Sequence, residues 1–95
     1  MGSTVAAGMA EMVEEGQVSL RQAVAYHLEC NHFPPVPEEM VPVCLRVIRH
    51  LSAGDDAAGL VRLPKGVTHR QYGRDVPAWV IADELHLEAF IEEED

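Results

Sequence analysis

Glu38-Glu39-Met40-Val41-Pro42-Val43-Cys44-Leu45-Arg46-Val47-Ile48-Arg49-His50-Leu51-Ser52 is the stretch on which the fold turns. On a helical wheel Met40, Val41, Val43, Cys44, Leu45, Val47, Ile48 and Leu51 cover an arc of about 200°. Only Arg46, Arg49 and His50 are left to face water. A helix apolar over more than half of its circumference needs neighbours on several sides, so residues 38–52 are expected to form a central helix. Glu38 and Glu39 stand at the end where the helix dipole favours negative charge. Pro42 costs at most one hydrogen bond there, because early amides lack intrahelical partners anyway.

Working towards the N-terminus, His32-Phe33-Pro34-Pro35-Val36-Pro37 cannot continue a helix and reads as a stiff, extended link. Before it, residues 19–31 predict a helix. Ser19 with Gln22 three residues on forms a capping-box pattern, and Leu20, Ala23, Val24, Leu28 and Cys30 make its apolar face. Residues 4–15 predict a further helix, with Val5, Met9, Met12 and Val13 in one stripe and Gly16 as its stop.

Towards the C-terminus, Ser52 to Gly59 is a loop by composition. Leu60-Val61-Arg62-Leu63 reads as a short strand, Pro64-Lys65-Gly66 as a turn, and Val67-Thr68-His69-Arg70 as its hairpin partner. Asp75 is the expected cap of a last helix running to about Glu92. In that helix Ala78, Ile81, Ala82, Leu85 and Ala89 share one face, and Val80, Leu87, Phe90 and Ile91 lie roughly opposite. The fold expected is mainly α: a compact four-helix domain over residues 1–91, with a strand or hairpin between the third and fourth helices. An acidic disordered tail over residues 92–95 would follow.

Ninety-five residues suit a single domain. No run of about 18 apolar residues exists, so no membrane segment is expected. The N-terminus shows no secretory pattern, and two cysteines make no disulfide framework, which points to a cytoplasmic protein. A net charge of −9 argues against nucleic acid as a general partner. The charge is unevenly spread. Residues 57–74 hold four basic side chains and no acid, whereas residues 75–95 hold eight acids and no base. Arg62, Lys65, Arg70 and Arg74, joined by Arg46, Arg49 and His50, are therefore candidates for contact with an anion or a partner. The competing reading is that they neutralise acidic parts of the same chain.

Chemistry-bearing constellations are few. His27, Cys30, His32 and Cys44 are candidate zinc ligands, since nitrogen and sulfur donors suit that metal, but their spacing fits none of the closed structural patterns. His27 falls in the apolar arc of its helix, and the simpler reading is a core histidine with a hydrogen-bonded ring. Glu29-x-x-His32 and Asp83-x-x-His86 lack the further glutamates that a di-iron bundle requires. No serine sits in a nucleophile elbow and no glycine-rich phosphate loop is present. The chain is accordingly expected to be a non-enzymatic protein–protein interaction module without a cofactor. It would form a homodimer through Val80, Leu87, Phe90 and Ile91, and an unidentified protein would be its partner. The first alternative is an acidic, phage-type, DNA-mimicking inhibitor of a nucleic-acid-processing protein, using carboxylates such as Glu84, Glu88 and Glu92. The second is a small zinc-binding domain.

Overall fold

The structure, a computed structural model, describes residue 16 and residues 18–31 and 36–91. Within them the order is α1 (Leu20–Asn31), α2 (Met40–Ser52), β1 (Leu60–Arg62), β2 (Asp75–Pro77), α3 (Ala78–Glu84) and a 3₁₀ turn (Glu88–Phe90). The expected helix over residues 4–15 and the acidic tail over 92–95 lie outside the described residues. So does most of the proline link.

α1 opens as its cap predicts. The Gln22 amide donates to Ser19 Oγ at 3.1 Å, and the Ser19 amide donates to Gln22 Oε1 at 2.9 Å, so two orphan donors are satisfied reciprocally. α2 is the centre of the molecule: Met40, Val41, Val43, Cys44, Leu45, Val47 and Ile48 are all buried. At roughly 1.5–3 kcal/mol for each large side chain removed from water, this helix alone supplies much of the drive to fold. It packs against α1, α3 and β1. Gly54 ends it at φ 77°, where the Asp55 amide returns to the His50 carbonyl and the Gly54 amide to that of Leu51.

Two expectations are corrected here. β1 does not pair with residues 67–70. Its antiparallel partner is β2, in the register Leu60 with Pro77, Val61 with Val76 and Arg62 with Asp75. The loop between them carries its own small turn, closed by reciprocal His69 and Gly73 backbone bonds of 2.7 and 2.8 Å. Asp75 thus lies in a strand and caps no helix.

The last helix is also shorter than expected, ending at Glu84 rather than near Glu92. His86 takes φ 55°, the Leu87 amide donates to the Ala82 carbonyl at 2.9 Å, and the His86 amide reaches back to Asp83 at 3.4 Å. This is a Schellman ending with histidine in the left-handed position that glycine usually fills. Without a glycine the sequence hides the stop, and an apolar period continued through it reads as one helix. Among the described residues the fold is therefore three α-helices and a two-stranded antiparallel sheet, about half helical, and not a four-helix domain. No helix among them is long and apolar enough to cross a membrane.

Candidate functional site

The exposed side of α2 forms one wall of a cleft of about 680 Å³. Arg46 and Arg49, three residues apart, project from the strip that the apolar arc leaves to water. α1 brings Arg21 from the second position of its first turn, and β1 brings Arg62. Val43, Leu45 and Leu63 give the cleft an apolar base, Pro42 and Pro64 also line it, and Glu39 is its one acid. Arg46 Nη2 donates to the Arg62 carbonyl at 3.2 Å, bridging helix and strand.

Four arginines from three elements thus line one cleft, and among the described residues none of them makes an ion pair with a carboxylate. The carboxylates close to a basic side chain there face histidine instead: Asp55 lies 3.6 Å from His50 and Glu84 lies 2.9 Å from His69. Like charges one helical turn apart repel by a few tenths of a kcal/mol. An anion placed among the four would relieve that repulsion and accept forked hydrogen bonds from them.

The basic residues singled out from the sequence separate in space. Arg62 lines the cleft. Lys65 and Arg70 are exposed on the loop between the strands, and neither lines the cleft. Arg74 is half-buried as a brace, its Nη2 donating to the Leu63 carbonyl at 3.1 Å, while its Nε is buried with no hydrogen-bond partner. Arg21 was missed entirely. It is 25 positions from Arg46, and nothing in the sequence states that the wet sides of the two helices meet.

The residues expected to form a dimer contact face inward. Leu87 is 0% exposed, Val80 and Phe90 are buried, and Ile91 is half-buried against the same core. Because α3 ends at Glu84, Val80 and Leu87 do not share a continuous helical face. The chain's own core covers the second apolar side that the sequence assigned to another molecule.

The described metal candidates, His27, Cys30 and Cys44, form no metal-holding group. His27 is fully buried, its Nε2 hydrogen donated to the Leu85 carbonyl at 2.8 Å and its ring edge-on to Phe90 at 5.5 Å. That carbonyl belongs to the residue capping α3, where helical carbonyls lack internal partners, so the imidazole supplies one. Cys44 is buried in α2, and burial pushes its thiol up to about 12. Cys30 is exposed rather than on a buried face, and it pushes the Tyr26 phenol up, first through a hydrogen bond and then through charge. His32 lies outside the described residues. Among the described residues no group of three or more His, Cys, Asp or Glu is placed to hold a metal ion.

Comparison of the chain with protein-family models, with curated proteins and with solved structures finds no match in any of the three.

Proposed function

We propose that the chain is a small, non-enzymatic protein-interaction module that takes an acidic segment of a partner protein into the arginine-lined cleft. The observation carrying this reading is the convergence of Arg21, Arg46, Arg49 and Arg62 on one concave surface without carboxylate partners among the described residues. Arginine is the residue suited to forked recognition of carboxylates, and an apolar base gives a partner side chains to bury against. The molecule as a whole is acidic, with a net charge of −9, which disfavours a long polyanion such as RNA and favours a short segment reached by local attraction. Two free cysteines, one of them exposed, fit a reducing compartment, and the proposed location is cytoplasmic.

Calorimetric titration of the full chain with a synthetic hexapeptide of alternating valine and glutamate tests this. Binding is expected for that peptide and not for its valine–lysine counterpart. Arg46→Glu combined with Arg49→Glu should weaken it at least about tenfold, or roughly 1.4 kcal/mol. Both side chains are exposed, so the variant is expected to stay folded. Equal affinity of the variant, or no binding of the glutamate peptide, overturns the reading.

A further inference from the structure

The two-stranded sheet leaves one edge of β1 open, and its backbone geometry fixes which groups that edge presents. The Leu63 amide donates to the Arg74 carbonyl at 2.7 Å, and the Ala78 amide donates to the Gly59 carbonyl at 2.9 Å. In an antiparallel ladder, facing residues alternate between hydrogen-bonded and non-bonded pairs. With the observed register, residues 59, 61 and 63 are the bonded positions. Leu60 and Arg62 therefore direct their N–H and C=O groups away from β2. The Arg46 guanidinium on the Arg62 carbonyl confirms the direction and shows that this edge faces the cleft. The N–H and C=O of Leu60 and the N–H of Arg62 have no hydrogen-bond partner among the described residues.

α2 runs beside the edge. A Cβ on Gly59 would stand 3.1 Å from His50 Nε2, Arg46 reaches Arg62, and Pro42 lines the cleft together with Pro64. Helix positions 50 and 46 thus lie against positions 59 and 62 of the strand region. Arg62 and Leu63 of this strand line the cleft together with Arg21, Arg46 and Arg49, and the unused groups of Leu60 continue the same strand edge beyond the cleft lining. An unpaired strand edge is a template for another extended chain, and proteins commonly bind peptides in that way. Successive side chains of an extended segment point to opposite sides, so only every second residue of the partner faces the arginine wall.

We infer that the outer edge of β1 is a strand-addition site, where the acidic partner segment binds extended, as a third strand, with carboxylates at alternate positions facing Arg21, Arg46 and Arg49. This rests on the acidic-segment reading above and adds the conformation and spacing of the ligand. Its backbone bonds go to the N–H and C=O of Leu60 and to the N–H of Arg62, whose carbonyl is held by Arg46, and they supply affinity independent of ligand sequence. The arginines supply the selection. Helical acidic peptides of the same charge are excluded, because their backbone groups are already paired.

Amide hydrogen exchange of the full chain, followed by NMR with and without the valine–glutamate hexapeptide, reads the added strand directly. The Leu60 and Arg62 amides are expected to exchange fast in the free protein and at least tenfold more slowly at saturation. The Val61 and Leu63 amides, already paired, should change little. A second measurement needs no variant of the protein: N-methylation of one alternate set of peptide amides should weaken binding at least tenfold, and of the other set less than twofold. A peptide that binds with the expected dependence on Arg46 and Arg49, yet protects neither amide and tolerates both methylation patterns, overturns strand addition and leaves the cleft reading standing. A peptide that does not bind overturns both.

Discussion

His27 does two jobs with one ring: it fills core volume against Phe90 and gives the orphaned Leu85 carbonyl a donor. His27→Phe keeps the volume and removes the donor, so it should lower the unfolding free energy by about 1–3 kcal/mol, read from the urea midpoint. An unchanged midpoint would mean that the bond adds nothing. The cysteines provide a second prediction. Cys30 should react with a thiol reagent in the native protein and Cys44 only after unfolding. The Cys44 thiol is raised from an ordinary 9.0 to about 12, so the unfolded chain ionises first as pH rises. Stability should accordingly fall across about pH 9 to 12, and Cys44→Ala should flatten that fall. The inward placement of His27 can be read from the apolar arc around it, whereas its partner stands 58 residues away and only the fold brings it near.

Among the elements, α2 is the most legible, because an apolar arc that wide admits no state except burial on several sides. The sheet is the least legible. β2 is only three residues long and ends in Pro77, and Asp75 at its start resembles a helix cap. Proximity in sequence favoured residues 67–70 as the partner strand, but the register reaches past them. α3 teaches a related lesson: a left-handed His86 breaks the period, and the two apolar faces that seemed to call for a second molecule belong to two differently oriented pieces. The consequence for Leu87 is a reversal. On one long helix, Leu87→Glu would dissociate a dimer and leave the chain folded. With the side chain 0% exposed, a carboxylate there should cost more than about 4 kcal/mol and abolish the cooperative thermal transition in circular dichroism. A folded, soluble Leu87→Glu variant would refute this packing.

For the whole molecule the relevant contrast is between a net charge of −9 and a local cluster of four arginines. Sequence reading could find the basic middle of the chain, but it grouped residues by proximity along the chain. The cleft draws one arginine from α1, two from α2 and one from β1, so its composition is a property of tertiary structure. Attraction inside the cleft works over a few ångströms, while repulsion from the remaining acids works over tens and is screened first. Salt therefore acts on both terms, and the close, partly enclosed contacts decide the sign. Raising ionic strength from about 0.05 M to about 0.5 M should weaken the valine–glutamate peptide several-fold without abolishing it. Complete loss at the higher value would indicate diffuse attraction with no defined seat.

Trp79 is the sole tryptophan, 49% exposed, and its amide is tied to the Ala57 carbonyl at 3.0 Å rather than to anything in the core. Its emission thus begins close to the colour of indole in water and has little further to shift when the chain comes apart. A fluorescence trace on this protein is expected to report the first turn of α3 and its tie to Ala57 more than the interior. Loss of the interior has to be watched by another probe, and the two curves need not share a midpoint.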